Sequence, residues 1–158
     1  MRESIGGTWL LGFVVLFIVL FSAYLAYSIN YTKAFKTKNF IINTIEENEG
    51  FSECDGCNFE QFQDSDYAEH HDTESKIYYY LKNIGYATQT IDKSKCSDED
   101  DYKEGGYCVR TISTSSGGIY YKVTTFINIE IPLIWQTFTI PIKGETKVIY
   151  NANNNNNK

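Results

Sequence analysis

The stretch that decides the fold is WLLGFVVLFIVLFSAYLAYSI, residues Trp9 to Ile29, which contains no charged side chain. At ~1.5 Å of rise per residue, a helix of this length crosses the ~30 Å hydrocarbon core of a bilayer. A secretory signal peptide is the competing interpretation, but its apolar core spans about 7 to 15 residues and ends in small residues before a cleavage site. The sequence therefore predicts a transmembrane helix over 9–29, after a short N-terminal segment over 1–8.

The helix is predicted to continue beyond the span. Over 31–47, apolar residues recur at close to helical spacing, with lysines and asparagines between them. No proline or glycine interrupts residues 13–49. We therefore expect one helix from about Thr8 to Asn48, ~60 Å long. Its second part is an amphipathic extension over 30–49, which Gly50 ends as the C′ residue.

One apolar side of this extension needs a partner. Phe35, Ile42 and Ile45 continue the apolar surface of the span into water, where a large exposed apolar patch is costly unless another surface covers it. Small residues inside the span permit the close approach of another helix: Gly12, Ser22, Ala23 and Ala26. We expect the three large residues to pack against other subunits, so that replacing Ile42 and Ile45 leaves the domain folded. The alternative is that the sheet of the same chain covers these three residues.

The C-terminal third has the pattern of an antiparallel sheet. IYYKVTTFINIEI, residues 119–131, alternates with the period of a half-buried strand. FTIPIKGETKVIY, residues 138–150, predicts another strand, which Pro141 and Gly144 restrict to a sheet edge or a bulge. YCVRTIST, residues 107–114, precedes both and completes a meander. We predict an α+β fold in which the long helix packs on this sheet.

Polar segments and one short helix lie between the long helix and the strands. Residues 50–72 and the acidic SDEDDYKEGG, residues 97–106, lack a steady period and are predicted to be solvated loops. Thr73 or Ser75 can cap a helix that Gly85 ends, and we expect this helix to pack on the sheet.

The composition agrees with one small strand-rich domain over 50–150. The chain has 13 Tyr and 10 Phe against two Pro, which favours strands. A formal net charge of -6 argues against nucleic acid as a partner, because neutralising phosphates needs a basic surface. The Asn-rich tail, residues 151–158, is predicted to be disordered.

The four cysteines all follow the predicted span. An even number in a small exported domain predicts disulfides, with three possible connectivities. We favour Cys96 with Cys108 and Cys54 with Cys57. CDGC could alternatively form a redox centre or half of a zinc site, although no βαβ pattern follows it and no second ligand pair has the usual spacing.

Other chemically suggestive residues have simpler explanations. His70 and His71 could bind a metal with Asp64, Asp66 or Glu69, but adjacent histidines rarely present both rings to one ion. The acidic SDEDD lacks the ligand spacing of an EF-hand. The sequence contains no nucleophile elbow, phosphate-binding glycine loop or dinucleotide fingerprint. We expect no enzyme, no metal, no cofactor and no small-molecule substrate.

The whole layout resembles that of type IV pilin-like proteins. The anchor LLGFVVLFIVLFSAYLAYSINYTKAFKTKN and the ending PLIWQTFTIPIKGETKVIY resemble the TadE-like minor pseudopilins of tight-adherence (Flp) pilus systems in Gram-positive bacteria. This resemblance implies an exported subunit that assembles or initiates a filament with other pilin-like subunits and pilus assembly proteins. The prepilin-peptidase site of the family has a glutamate a few residues after a glycine. Here Gly6 and Gly7 have none, which favours an uncleaved accessory component.

Two features make opposite predictions for the orientation. Lys33, Lys36 and Lys38 follow the span and only Arg2 precedes it, so the positive-inside rule alone places the domain in the cytoplasm. A strand-rich domain with four cysteines suits an oxidising exterior, however, and the lysines can lie at anionic headgroups. We expect a single-pass protein of the cell membrane with an extracytoplasmic C-terminal domain. A membrane-anchored binding module outside any filament is the alternative function.

Overall fold

The chain folds as a long N-terminal helix with a four-stranded antiparallel sheet, which confirms the predicted α+β fold. The structure is a computed structural model, and it describes residues 2–59, 62, 71–86, 93–131 and 136–150. The predicted disordered tail, residues 151–158, lies outside the described residues.

The first helix, α1, spans Arg2–Glu47 without a break. Its 46 residues give a length of ~69 Å, and it begins earlier than predicted. At its end, the N–H of Gly50 donates to the carbonyl oxygen of Ile45 at 3.0 Å, and the N–H of Glu49 donates to that of Glu46 at 3.3 Å. Glu49 has a left-handed φ of 53°. The C′ residue of this Schellman motif is therefore Glu49, and the prediction of Gly50 was one residue late.

The second helix, α2, spans Thr73–Asn83, and its start differs from the prediction. The N–H of Thr73 donates to Oγ of Ser52 at 2.9 Å, and the N–H of Glu74 donates to the carbonyl oxygen of Ser52 at 3.1 Å. Neither Thr73 nor Ser75 caps the helix, because a segment distant in sequence accepts these N–H groups. The sequence pattern alone cannot show such a long-range cap.

The end and the packing of α2 follow from local residues. Gly85 ends the helix as predicted, with a left-handed φ of 59°. The ring of Tyr80 stacks on that of Phe40 of α1, with centroids 3.7 Å apart. Leu81 is fully buried and lies beside Gly105, next to the sheet. Helix α2 thus packs on α1, and its buried residues Ile77, Tyr78 and Leu81 share one core cluster with residues of the sheet.

The four strands follow the chain in order across the sheet. They are β1 (Asp101–Lys103), β2 (Tyr107–Ser113), β3 (Ile119–Ile131) and β4 (Gln136–Glu145). Strand β3 has the predicted bounds, and β4 is an edge strand as predicted. Two details were wrong: β1 lies in a segment predicted to be a solvated loop, and the last predicted strand ends at Glu145. Beyond it, Ile149 forms a separate bridge with Ile119.

Pro141 fits into β4 without the loss of a ladder bond. It lies opposite Phe126 of β3. The odd-numbered residues of β3 direct their backbone groups at the β4 side, since the carbonyl oxygen of Tyr121 accepts a bond from the N–H of Thr146 at 2.9 Å. Phe126 therefore directs its backbone groups away from Pro141, where no N–H is needed.

Tyr86 satisfies the backbone groups that Phe126 turns away from β4. Strand β2 begins at Tyr107, so within the described residues β3 has no strand neighbour on that side at Phe126. The hydroxyl of Tyr86 donates to the carbonyl oxygen of Phe126 at 2.9 Å and accepts from its N–H at 2.9 Å. One side chain thus replaces a missing strand partner in a buried position.

The core lies between α1 and one face of the sheet. Its buried members are chiefly from α1, α2 and the odd-numbered positions of β2 and β3: Ala34, Ile41, Ile45, Ile77, Leu81, Tyr107, Val109, Tyr121, Val123 and Ile127. The hydroxyl of Thr125 also donates to the carbonyl oxygen of Ala34 at 3.1 Å. At Gly144, a Cβ would lie 2.7 Å from Cδ1 of Ile42, so glycine is what lets α1 approach β4.

The opposite face of the sheet is also partly covered. Thr124 and Phe126, which the alternating pattern places on this face, are only 4% and 3% exposed. Cys96, Cys108 and Tyr102 pack with Phe126 in a second small cluster. The segment before β1 is held there by a disulfide, which a period-2 pattern cannot reveal.

Candidate functional site

Both predicted disulfides are present, and all four cysteines are paired within the described residues. Cys54 and Cys57 close a turn whose N–H at Cys54 donates to Oε2 of Glu74 at 2.9 Å. Cys96 and Cys108 join the acidic loop to β2, with Cα atoms 5.9 Å apart. The first bridge closes a turn that the bond to Glu74 attaches to α2, and the second bridge attaches the acidic loop to β2. Neither pair leaves a thiolate to bind zinc.

The metal candidates named from the sequence are only partly described. His71 is described, whereas Asp64, Asp66, Glu69 and His70 lie outside the described residues. Within the described ranges, no group of three or more His, Cys, Asp and Glu side chains could hold a metal ion. In the acidic loop, the carboxylate of Glu99 forms an ion pair with Arg110 of β2.

Buried tyrosines surround the start of α2. Glu74 is 7% exposed, and its Oε1 accepts a hydrogen bond from the hydroxyl of Tyr78 at 2.9 Å. Burial, and then the nearby charge of Glu74, raises the pKa of Tyr78 and of Tyr107 well above 10.0. Burial likewise raises the pKa of Tyr86 to about 12. These phenols stay neutral at physiological pH. Tyr78 and Tyr86 serve as buried hydrogen-bonding groups, whereas the hydroxyl of Tyr107 has no partner among the described residues and its ring serves packing.

The candidate functional surface is that of α1. Among the described residues, α1 is the one helix long and apolar enough to cross a membrane, by length and composition. Every residue from 7 to 29 is exposed, so the described part of the chain leaves this candidate span uncovered. This apolar surface must be covered by lipid or by other proteins.

The three residues predicted to pack against other subunits have different surroundings. Ile45 is fully buried in the core of its own chain, and Ile42 is partly buried there, whereas Phe35 is 41% exposed. For Ile42 and Ile45, the structure shows the cover by the sheet that was given as the alternative. The expectation that both could be replaced with the domain still folded stays a prediction, and the burial of Ile45 in the core argues against it.

Two threonines that were not among the predicted packing residues complete the covered side of α1. Thr37 is 0% and Thr44 is 5% exposed. They lie at helical spacing with Ala34 and Ile41, which was the available signal, but threonine was counted as polar. Thr44 donates to the carbonyl oxygen of Phe40 at 2.8 Å, which removes the need for an outside partner.

Beside the covered side, α1 presents an uncovered row of three rings. We call Tyr27, Tyr31 and Phe35 the aromatic row; their successive ring centroids are 6.1 and 6.2 Å apart. They are 40%, 44% and 41% exposed. Nζ of Lys38 lies 4.5 Å from the centroid of the Phe35 ring. The row thus extends from the last turn of the apolar run to the level of the folded domain.

A scan against protein-family models, a search of curated proteins and a search of solved structures found no match to this chain. The resemblance to TadE-like pseudopilins therefore depends on the layout of the sequence.

Proposed function

We propose that this protein is a membrane-anchored, pilin-like structural subunit that takes part in assembling or initiating a tight-adherence-type pilus. The observation that carries the proposal is the continuity of α1, which runs as one helix from the candidate span to the core of the domain. A continuous helix fixes the domain relative to the span. A subunit that packs side by side with others through its helix needs this fixed relation.

The uncovered surface of α1 supports the same proposal. The sheet covers only one side of the upper helix, and the aromatic row remains open beside it. Within the span, a Cβ added at Gly12 would meet nothing within 4 Å, and small residues of this kind allow another helix to approach closely. Ser22 donates to the carbonyl oxygen of Ile18 at 2.8 Å, so its hydroxyl does not oppose such packing.

The proposed location is the cell membrane, with a single span and the C-terminal domain outside the cytoplasm. The two disulfides support this orientation, because disulfides persist in oxidising compartments. The exposed lysines Lys33 and Lys36 would then lie at the headgroups just outside the span.

One observation favours a second candidate function, that of an anchored binding module outside any filament. Ile41 and Ile45 are already buried by the sheet of the same chain. No other subunit is therefore needed to cover the side of α1 that faces the core, and the protein could act as a monomer.

Cysteine crosslinking in the native cell tests the first proposal against the second. We expect Tyr31→Cys and Phe35→Cys to form crosslinked species with other pilin-like subunits under mild oxidation, because both side chains are open. Thr32→Cys is the matched control, since Thr32 is exposed at the same height on α1 but outside the aromatic row. The native cysteines are paired and do not compete.

Deletion of the gene completes this test. Loss or reduction of surface filaments, together with crosslinks at 31 and 35 and not at 32, supports a structural subunit. Unchanged filaments and the absence of crosslinks at all three positions would leave the anchored binding module as the better explanation.

A further inference from the structure

A group of three lysines lies on α1 just above the apolar run. We call Lys33, Lys36 and Lys38 the lysine collar; the sequence has no other charged residue between Glu3 and Glu46. Lys33 and Lys36 are exposed, and no ion pair of the described residues includes a member of the collar. The chain thus concentrates positive charge on this part of α1, although its formal net charge is -6.

The collar surrounds the sides of α1 that the sheet leaves open. At about 100° per residue, Lys36 lies ~160° around the helix from Ala34, which is fully buried in the core. Lys33 lies ~100° from Ala34 on one flank. On the other flank, Nζ of Lys38 lies 4.5 Å from the centroid of the Phe35 ring. Positive charge is therefore present on three sides of the helix.

The height of the collar on α1 matches that of lipid headgroups if α1 spans a membrane. The Cα atoms of Lys33 and Lys36 lie ~6 and ~10.5 Å above that of Ile29, the last residue of the apolar run. Side chains of a helix tilt towards its N-terminus, as Nζ of Lys38 does by lying over the ring of Phe35. The ammonium groups can therefore reach below their Cα atoms into the headgroup layer, which is about 5 to 7.5 Å thick.

The acidic groups of α1 lie too far away to neutralise the collar. Glu46 is the first acidic residue above the apolar run, ~25 Å above Ile29 and ~15 Å above Lys36. This distance exceeds the Debye length of about 8 Å at physiological ionic strength. Glu46 already has a partner, since its Oε2 lies 3.4 Å from Nζ of Lys147.

A second copy of the chain does not supply the missing negative charge either. Two copies that span the same membrane hold their collars at the same height, so lysine would face lysine. The acidic end of α1 in the second copy would be as far from the collar as that of the first. The groups that match the collar in both sign and height are the phosphates of anionic lipids.

We propose that the lysine collar binds the headgroups of anionic phospholipids and makes the protein prefer them to zwitterionic lipids. This inference rests on the proposed membrane anchoring and names the lipid that the anchor selects. Each ammonium group carries three N–H donors for phosphate oxygens. Tyr27 and Tyr31 are 40% and 44% exposed at the end of the apolar run, where tyrosine is favoured at membrane–water interfaces.

This preference has a consequence for assembly. Copies that pack side by side through the aromatic row bring their collars together, and the like charges oppose the contact. Anionic headgroups between the copies neutralise this repulsion. Side-by-side packing should therefore form more readily in an anionic membrane.

Spin-labelled lipids test the preference with the full chain in a bilayer. The protein is reconstituted in phosphatidylcholine with a trace of either spin-labelled phosphatidylglycerol or spin-labelled phosphatidylcholine. Lipid at the protein surface gives a motionally restricted signal, and its fraction yields the relative association constant of the two lipids. We expect phosphatidylglycerol to associate at least about twofold more strongly, and this preference to disappear in about 1 M salt. Retention of both disulfides serves as the folding control.

Matched double variants assign the preference to the collar. Lys33→Gln combined with Lys36→Gln removes two exposed charges, and we expect the preference for phosphatidylglycerol to fall by at least about half. Lys76→Gln combined with Lys147→Gln removes the same charge at the upper end of α1, where Nζ of Lys76 lies 2.6 Å from Oδ1 of Asn48. This control should keep the preference of the wild-type chain.

The outcomes separate failure of the collar from failure of the anchor. Restricted signals that are equal for the two lipids in the wild-type chain would overturn the binding of anionic headgroups and leave the anchor intact. Equal preferences in the two double variants, whether kept or lost, would also overturn the role of the collar. The absence of a restricted signal for both lipids would overturn the membrane anchor and the collar together.

Discussion

The lower and upper parts of α1 belong to one helix but are built for different surroundings. From 7 to 29, the helix is apolar on nearly all sides, and every side chain is exposed. From 34 to 47, one side is buried under the sheet and the other carries lysines, asparagines and glutamates. A helix that is apolar all round must be covered on all sides, and an amphipathic helix on one side only. The difference shows that, among the described residues, the chain covers one side of the upper part of α1 and leaves the lower part exposed.

The boundary between the two parts is short. Only the residues from Asn30 to Lys33 separate Ile29, at the end of the apolar run, from Ala34, the first buried residue. The folded domain therefore begins ~7.5 Å above the apolar run. If α1 spans a membrane as proposed, the helix itself and not a flexible linker connects the domain to the membrane surface.

The largest expected effect comes from placing one charge in each part of α1. Ile41→Asp loses a fully buried side chain and buries an unpaired carboxylate, so we expect it to destabilise the domain by about 5 kcal/mol or more, which is comparable to the stability of many domains. Ile18→Asp, near the middle of the span, should leave the domain folded and cost ~2.5 to 3.5 kcal/mol of membrane insertion. Protease resistance of the domain and extraction of membranes with alkaline carbonate measure the two effects separately.

These two variants can contradict the description of either part of α1. If Ile41→Asp keeps a protease-resistant domain, then the sheet does not cover the upper part of α1 as described. If Ile18→Asp inserts as well as the wild-type chain, the lower part is not a membrane span.

The second effect concerns Tyr86, whose hydroxyl bonds both backbone groups of Phe126. Tyr86→Phe leaves a buried N–H and a buried carbonyl group unpaired, and we expect a loss of ~1 to 3 kcal/mol. Tyr24→Phe is the matched control from the lower part of α1, since Tyr24 is 64% exposed, and the unfolding free energy of the domain should not change. Denaturant unfolding at neutral pH measures both.

Tyr86 also makes the unfolding free energy of the domain depend on pH in the alkaline range. Burial raises the pKa of Tyr86 to about 12 from 10.0, so between these values the folded state keeps a proton that the unfolded chain has lost. The contribution of this group to stability is complete below pH 10.0 and is lost as the pH rises through about 12. In the Tyr86→Phe variant, the unfolding free energy should fall less steeply with pH over this range. The difference in slope should correspond to one proton fewer released on unfolding. An unchanged slope would mean that Tyr86 is not buried as a neutral phenol.

The smallest effect tests how well the covered side of α1 is matched to the sheet. The hydroxyl of Thr37 is buried and has no hydrogen-bond partner in the described part of the structure. Thr37→Val replaces it with a methyl group of similar size, so we expect a gain of up to about 1 kcal/mol. Thr44→Val should instead lose ~1 kcal/mol, because Thr44 donates to Phe40. Equal changes in the unfolding free energy of the two variants would contradict this distinction.

Local signals predicted the elements well where each element depends on its own residues. Strand β3 has the predicted bounds because its alternation follows from the period of a strand. Gly85 ends α2 because glycine adopts the left-handed φ without strain. The cap of α2 was predicted wrongly, since its acceptors come from Ser52, a residue that no local pattern connects to Thr73.

The candidate site was predicted in part for a similar reason. The apolar run and the open position of Phe35 follow from residue type and spacing. The sequence could not show that Ile45 is covered by its own sheet, because this depends on where β3 and β4 lie relative to α1. The aromatic row was missed as a unit, because its three rings are recognised only when the covered side of the helix is known.

The sequence by itself determined that this chain has a long apolar helix, an alternating strand pattern and an even number of cysteines. These features depend on composition and on the periods of helix and strand, which are properties of neighbouring residues. Only the tertiary structure decided which side of α1 is buried, how Gly144 and Pro141 fit into β4, and how Tyr86 pairs with the backbone of Phe126. The physical reason is that burial and pairing depend on contacts between residues far apart in the chain, and no local period encodes these contacts.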